Sequence, residues 1–515
     1  MTFAKKLCDV FIDAGTISGI CKVRKHATQS NQSTNRSKKY NSNVHKPWFD
    51  DECRKSRISY MKMKNKLKKR KSVEDIEKHK VESRRYKKLM KSKSKLYHKE
   101  LIKKIRSLKN SSPKEYWNII NKSTESKQII SNISTQTFME HFKKLGIAHQ
   151  PMVGQGGEFD PRLINHSVND NLNVHFTTDE IVKLVNKLKN NKACGIDFIR
   201  NEFLKYCPKE IISMITELFN LVLDSGLIPS DWCIGIIMPL YKNKGSIHDP
   251  DNYRGITLLS CIGKLFTSAI NARLTNYLDN IGAIGDEQAG FREGHSTMDH
   301  AFTLHSIIDI YLQKRKRVYC AFVDYRKAFD LFNRSYLWQK LIAHGINGNI
   351  VNVIYNLYSG AKSCVRSNKK MSDYFPCNIG VRQGDNLSPL LFAIYLNDFE
   401  YFVSRRYNGL DSLANDIRDN LSDDDVEVFI RLYVLLYADD TIIMAESAEE
   451  LQDALNDVYD YCHLWDLIVN TSKTKIVIFS KGRVRKYPEF KFGDSVLEVC
   501  DNYTYLGVIF NFNGN

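Results

Sequence analysis

The run Val434-Leu-Leu-Tyr-Ala-Asp-Asp-Thr-Ile-Ile-Met444 decides how this chain is read. Two apolar stretches, Val428 to Leu436 and Thr441 to Met444, are separated only by Tyr437-Ala-Asp-Asp440, a spacing that predicts a hairpin of buried strands. Its tip carries Asp439 and Asp440. Adjacent carboxylates on a rigid turn repel each other unless a hard cation lies between them, and Mg²⁺ is the obvious guest. Aspartate is also a common turn residue, so the pair alone does not fix the chemistry.

A third acid does. Asp324 ends the apolar run Val318-Tyr-Cys-Ala-Phe-Val323, which reads as another buried strand, and an acid in that position can face the hairpin tip. Three carboxylates from two neighbouring strands form the kind of site that holds two Mg²⁺ ions about 4 Å apart and clamps the attacking and leaving oxygens of a phosphoryl transfer. The reaction class that follows is nucleotidyl transfer.

Outward from this centre the pattern is mixed. Thr177-Thr-Asp-Glu180 reads as a capping box opening a helix through Ile181, Leu184, Val185 and Leu188. A second helical pattern runs from Ile211 to Leu223 and ends near Gly226, and Ile234 to Tyr241 reads as a buried strand. Ser388-Pro389 reads as a helix start. No fixed-period repeat is present, so helices with an antiparallel sheet predict an α+β fold.

Composition sets the outer bounds. With 515 residues, 43% hydrophobic and 26% charged, the chain is too long for a single small binding module and too apolar for a disordered one. The longest apolar candidate, Cys233 to Leu240, falls far short of the roughly 18 residues a membrane span requires, so no membrane partner is expected. The opening Met-Thr-Phe-Ala-Lys-Lys leads to Asp9 and Asp13 rather than to an apolar secretory core. The 12 cysteines include no Cys-x-x-Cys pair, and neither a zinc site nor a disulfide framework is expected.

The net charge of +18 is concentrated in one place. Between Arg54 and Lys109 stand 24 Lys or Arg against five acids, which accounts for the whole excess. This segment includes Lys66, Lys68, Lys69, Arg70 and Lys71 and the pair Arg84-Arg85, with helix starts expected at Ser72 and at Ser112-Pro113. A dense basic helix or helix pair is expected to bind nucleic acid through its phosphates, with strong salt dependence. Residues 22–45, rich in Ser, Asn, Thr and Lys, read as a flexible linker. The acidic stretch Asp416 to Glu427 reads as a solvated loop.

Several blocks together carry a family resemblance. Phe322-Val-Asp-Tyr-Arg-Lys-Ala-Phe-Asp330, Val381-Arg-Gln-Gly-Asp-Asn-Leu-Ser-Pro-Leu390 and Tyr437-Ala-Asp-Asp440 resemble motifs A, B and C of reverse transcriptases, in that order. Lys192-Ala-Cys-Gly-Ile-Asp197, Asn252-Tyr-Arg-Gly-Ile-Thr-Leu-Leu259, Gln288-Ala-Gly-Phe-Arg-Glu-Gly-His-Ser-Thr297, Asn470-Thr-Ser-Lys-Thr-Lys475 and Tyr505-Leu-Gly507 resemble further blocks of the non-LTR, LINE-type branch.

The resemblance implies a right-hand polymerase fold of fingers and palm over residues 175–515, preceded by a short segment and linker (1–45), a basic helical nucleic-acid-binding region (46–125) and a connector (126–174). It implies that Asp324 and Asp439 bridge two Mg²⁺ ions, replaceable by Mn²⁺, with Asp440 helping at one of them, and that Lys473 is the acid that protonates the leaving pyrophosphate, with Lys475 a competitor. Phe329 would be the gate against a 2′-hydroxyl. Arg254, and more weakly Lys242, would grip the triphosphate, Gln383-Gly384 would lie beside the nucleotide, and Tyr505, Leu506 and Gly507 would form the primer grip. Gly255 stands where the family commonly has Pro, and Asp385 where it commonly has Cys, which puts loop geometry near the nucleotide in doubt.

The implied function is RNA-directed DNA synthesis from a primer 3′-hydroxyl, with template RNA, primer or target DNA and deoxynucleoside triphosphates as partners. By the same resemblance the primer is a nicked chromosomal end, and the protein is intracellular, in nucleus and cytoplasm as a ribonucleoprotein. Neither an upstream endonuclease nor a thumb is expected within the 515 residues. Two other readings stand beside this one: a catalytically silent nucleic-acid-binding remnant, and a maturase of the group II intron type.

Overall fold

Ser72 caps a long helix, Val73–Ser111, by accepting the Asp75 N–H at 3.2 Å, as the sequence spacing predicts. The helix before it, Asp51–Lys69, runs antiparallel to it: Lys66 pairs with Asp75 at 3.1 Å, Tyr60 stacks on Tyr86 at 5.1 Å, and Lys93 reaches Asp50 and Glu52 at 2.7 Å each. Half-shielded side chains recur at helical spacing along this seam, while Lys66, Lys68, Lys69, Arg84 and Arg85 are exposed or half-exposed. A helix pair that buries so little apolar surface leaves its cations in water, where phosphates can reach them.

In the computed structural model the described residues are 2–17, 47–69, 72–112, 133–146, 159–164, 169–285, 294–404, 434–437, 440–484 and 486–514, with 115, 119, 288 and 290 as single positions. Arg70, Lys71, Asp439, the whole 22–45 stretch, the helix start at Pro113 and the 416–427 loop lie outside them. The chain divides into two compact units, 24–131 and a larger one made of 1–23 and 132–515.

This division differs from the sequence boundaries. Helix Thr2–Ile17 groups with the larger unit because Ala4, Leu7 and Phe11 join its core, Phe11 stacking on Phe203 at 6.4 Å. Helix Thr135–Leu145, which the sequence boundaries leave in a connector, packs Phe138 and Phe142 with Ile237, Tyr253, Val365 and Phe375 in a second cluster of the same unit.

Fourteen strands are described. β1 (Ile234–Tyr241) and β2 (Tyr253–Leu258) form an antiparallel hairpin. β3 (Val318–Asp324) belongs to a different sheet, whereas β4 (Lys362–Ser367) lies parallel to β1 and carries the short β5 (Lys370–Met371) and β6 (Phe375–Pro376). β7 (Val434–Tyr437), β8 (Asp440–Ala445) and β9 (Lys475–Phe479) flank β3, and β10 (Lys491–Phe492) pairs with β11 (Ser495–Val496). β12 (Glu498–Val499) runs parallel to β9, and β13 (Asn502–Tyr505) with β14 (Val508–Asn511) closes a last hairpin.

Two five-stranded sheets result, one in the order β2-β1-β4-β5 with β6 on β4, the other in the order β12-β9-β3-β8-β7. The second is the expected palm sheet, antiparallel except at its β12–β9 edge. Its centre is apolar on both faces: Cys320, Ala321, Phe322 and Val323 of β3 and Ile442, Ile443 and Met444 of β8 are buried. Helix Ala448–Leu464 covers one face and Tyr503 and Tyr505 pack on Phe322 from the other. With roughly 1.5–3 kcal/mol gained per fully buried aliphatic side chain, these strands fix a register that holds their polar ends in place.

Candidate active site

The polar ends of β3 and β8 meet. The antiparallel register sets Asp324 opposite Asp440 and Val323 opposite Thr441, so both carboxylates leave the same face of the sheet while Thr441 points into the protein. Asp324 is half-buried and Asp440 exposed.

A loop from the other side of β3 secures Asp324. Its carbonyl accepts the Asn470 N–H at 2.7 Å, and its own N–H donates to Thr474 Oγ1 at 3.2 Å. Between these residues Lys473 reaches over, its Nζ lying 3.1 Å from Asp324 Oδ2 and 3.4 Å from Oδ1. Lys475, equally eligible by sequence, is on β9 and turns away to Glu498 at 2.7 Å and to the Ser472 carbonyl at 2.7 Å. Of the two lysines, the structure brings only Lys473 to Asp324.

The motif after β3 is bound to motif B by backbone and side chain. Lys327 takes a left-handed conformation (φ 53°) and opens the short helix Ala328–Leu331, which carries Phe329 and Asp330. The Phe329 ring packs at 4.6 Å from Phe392, its carbonyl accepts the Val381 N–H at 2.7 Å, and Gln383 Nε2 donates to Asp330 Oδ2 at 3.0 Å. Gly384 has φ +105°, and a side chain there would meet the Thr257 carbonyl of β2 at 2.7 Å. Only glycine allows that approach. A recess of about 90 Å³ lies here, lined by Phe142, Gly255, Asp330, Arg334 and Gln383 among others.

Arg254 is exposed on β2. Lys242, in the turn beyond β1, folds back so that its Nζ donates to the Asp251 carbonyl at 2.8 Å.

The two departures from the family pattern have a local explanation, and it is not the loop effect expected from sequence. Asp385 is a buried anchor: it pairs with the buried Arg382 at 2.9 Å, accepts the Thr267 hydroxyl at 2.6 Å and takes the Leu387 N–H at 3.3 Å. Arg382 is held in turn by the Trp232 carbonyl at 2.7 Å. Gly255 is within strand β2, where a Cβ would strike the Phe142 ring at 2.8 Å and Ile237 at 3.0 Å. The glycine is what lets helix Thr135–Leu145 sit against this sheet.

The hairpin β13–β14 turns through Leu506 (φ 48°) and Gly507 (φ 86°), two left-handed residues between the paired Tyr505 and Val508, as a tight two-residue turn requires. Tyr505 is buried, with its hydroxyl 3.5 Å from His300 Nδ1.

With this geometry in place, comparison with known proteins is decisive. The family model described as "Reverse transcriptase (RNA-dependent DNA polymerase)" matches residues 241–510, more than half of the chain. The chain belongs to the reverse transcriptase family.

Its relatives come from the non-LTR branch that the sequence blocks resemble. A probable RNA-directed DNA polymerase from transposon X-element of Drosophila melanogaster is 27% identical over 343 residues, covering 65% of this chain and 35% of that protein. The RNA-directed DNA polymerase from mobile element jockey of Drosophila funebris is 26% identical over 342 residues, with the same coverage of 65% and 35%. A Pol polyprotein from type-1 retrotransposable element R2 of Popillia japonica is 25% identical, covering 56% of this chain and 39% of that one. The chain thus spans little more than a third of the length of these relatives. Among solved structures, apo telomerase from Candida tropicalis truncated from its C-terminal domain aligns over 62% of this chain and 61% of that one, at 14% identity and a TM-score of 0.35.

Sequence reading missed two residues of this reverse transcriptase family member. Arg334 is fully buried and donates to the carbonyls of Tyr358 (2.9 Å), Cys377 (2.8 Å), Ile379 (3.1 Å) and Gly380 (2.7 Å), organising the loop that leads to Gln383. Tyr503 stacks on Phe322 at 4.3 Å, and its hydroxyl is pushed up to about 12 by burial and then by the nearby Asp440 and Asp324 charges. The only sequence signal for Tyr503 is its position two residues before Tyr505, on the same face of a strand.

Proposed function

We propose that this chain is the polymerase portion of a non-LTR retrotransposon protein and extends a primer 3′-hydroxyl on an RNA template by nucleotidyl transfer. The observation that carries this reading is the register that sets Asp324 opposite Asp440 at the exposed ends of two buried strands. Paired carboxylates on a rigid sheet suit hard divalent cations, whose charge offsets their repulsion. Asp324 and Asp440, with Asp439 next to the latter in sequence, would hold two Mg²⁺ ions, for which Mn²⁺ can substitute. Bound there, the metal supplies Lewis acidity for the attacking hydroxyl and the transferring phosphate.

The chain's own residues do the rest. Lys473, a cation already within 3.1 Å of Asp324, neutralises that carboxylate and delivers a proton to the departing pyrophosphate. Phe329, packed against Phe392, presents a rigid ring that excludes a ribose 2′-hydroxyl. Gln383, held by Asp330, and Gly384, against β2, orient the nucleotide, and the exposed Arg254 binds its phosphates. The β13–β14 hairpin, with Tyr505, Leu506 and Gly507, steadies the primer end. The basic helix pair holds template RNA or target DNA, and priming from a nicked chromosomal end within a nuclear and cytoplasmic ribonucleoprotein completes the reading.

The experiment is incorporation of deoxynucleotides by the full chain on a primed RNA template, with and without Mg²⁺. Metal-dependent extension is expected. A chain that binds the primed template and adds nothing is a binding remnant instead.

A further inference from the structure

The end of the palm sheet away from Asp324 and Asp440 carries a band of cations. β3 begins at Val318, directly after the exposed run Lys314-Arg-Lys-Arg317, and β9 ends at Phe479, shortly before the exposed Lys481, Arg483 and Lys486. The antiparallel register pairs Val318 with Phe479, so these two runs, far apart in sequence, leave the sheet side by side. Since Arg54 to Lys109 accounts for the chain's whole excess charge, the rest is close to neutral, and this band is a local concentration rather than part of a general surplus. With about 3.3 Å per residue, the seven residues of β3 set it roughly 20 Å from Asp324.

Both runs are fixed. Helix Thr297–Gln313 terminates in the first: the Lys314 N–H donates to the Ile310 carbonyl at 3.2 Å, the left-handed Arg315 (φ 58°) to that of Leu312 at 3.1 Å, and Lys316 to that of Tyr311 at 2.9 Å. In the second, the Ser480 N–H donates to the Phe512 carbonyl at 2.9 Å and its hydroxyl to the Gly482 carbonyl at 2.5 Å. One or two cations in the last turn would satisfy the helix dipole, which leaves the remainder of the first run, and all of the second, without that explanation.

Acids bound the band without filling it. Among the described residues, Glu446, Glu449 and Glu450 follow β8 on one side, Glu446 accepting the Tyr311 hydroxyl at 2.5 Å. On the other side Asp501 takes Arg483 at 2.5 Å and Glu489 takes Lys491 at 3.4 Å, exposed pairs that a stronger anion can open. Beside Lys486, Tyr487 is 47% exposed, and it lines a recess of about 670 Å³ with Arg483, Asp501 and Asn502, room enough for a base whose edge meets polar groups.

We propose that the two runs form a second RNA surface, on the palm end opposite the active site, which holds the phosphates of an unpaired stretch of template that is not being copied, with Tyr487 as the platform on which one of its bases stacks. The choice of RNA rests on the polymerase reading above; the surface itself does not. Cations interleaved with an exposed aromatic suit an unpaired strand, whose bases are free to stack, better than a duplex, whose bases are already stacked. A protein groove that reads an extended basic peptide would require the helix-terminating bonds of the first run to be undone.

The test compares two primed RNA templates bound by the full chain, one with a long unpaired extension and one trimmed to the primed region. Combined Arg317→Gln, Lys481→Gln and Lys486→Gln, all at exposed positions, should weaken binding of the extended template at least about tenfold at low salt and flatten its log–log salt dependence by about 0.7 per lost phosphate contact. Binding of the trimmed template, and kcat and KM for the deoxynucleotide on it, should not change. Tyr487→Ala should weaken binding of the extended template about tenfold with its salt slope unchanged, as the loss of a stacked base requires. The same losses in a chain that never extends a primer would sink the polymerase reading and leave the surface standing. Unchanged binding of the extended template by the triple variant would overturn the surface, as would equal losses on the trimmed one. Equal losses with a duplex DNA extension in place of the unpaired RNA would overturn its assignment to RNA.

Discussion

The ammonium of Lys473 rests 3.1 Å from Asp324 Oδ2, on the carboxylate that the strand register sets opposite Asp440. Lys475, two residues on, is committed to Glu498. Proton delivery by Lys473 therefore predicts an asymmetric pair of variants: Lys473→Met lowers kcat about a hundredfold, and Lys475→Met changes it less than about threefold. Single-nucleotide incorporation rates decide this, and equal losses would remove Lys473 from the role.

Phe329 predicts a change of substrate. Replacing a ring packed at 4.6 Å on Phe392 with Val opens space where a 2′-hydroxyl would sit. The preference for deoxynucleotides over ribonucleotides should fall by about tenfold to a hundredfold, mostly through a better kcat/KM for the ribonucleotide. Competition between the two nucleotides on one primed template measures it.

Asp385 predicts a loss of stability rather than of chemistry. Asp385→Ala leaves the Arg382 guanidinium buried without its carboxylate, a change that costs about 3–5 kcal/mol. Urea unfolding should show a lower midpoint with an unchanged slope. Asp385→Asn, which keeps an acceptor for Thr267, should lose less.

The basic helix pair predicts a salt signature. Replacing Lys68, Lys69, Arg84 and Arg85 with Gln should weaken binding of primed template at low salt and flatten the log–log salt dependence by about 0.7–0.9 for each phosphate no longer neutralised. Fluorescence anisotropy of the full chain over a salt series gives the slope directly. An unchanged slope would place the phosphate-binding cations elsewhere.

What the sequence makes legible follows from physical range. The hairpin strands, Asp324 at a strand end, the caps at Ser72 and Thr177 and the helix start at Ser388 depend on neighbours a few residues away, and period and capping chemistry report them. Pairings between distant positions are silent. Nothing local tells that His141 and Lys327 approach Asp251, or that Arg334 holds carbonyls from Tyr358 to Gly380. Asp385 reads as a perturbation near the nucleotide because its partners, Arg382 and Thr267, become visible only when helix Cys261–Asn280 is packed against the motif B loop. The N-terminal helix reads as separate from the larger unit for the same reason: its apolar face at Ala4, Leu7 and Phe11 is modest in sequence and gains meaning from Phe203.

The most direct test of the central claim is deoxynucleotide incorporation by Asp324→Asn and Asp440→Asn variants of the full chain on a primed RNA template, with affinity for that template measured alongside. Both substitutions keep side-chain size and remove the charge that a divalent cation needs. Each should abolish Mg²⁺-dependent extension while template affinity stays within about threefold of wild type, since template binding is assigned to the basic helix pair. Extension that persists in either variant would contradict the assignment of these two carboxylates as metal ligands.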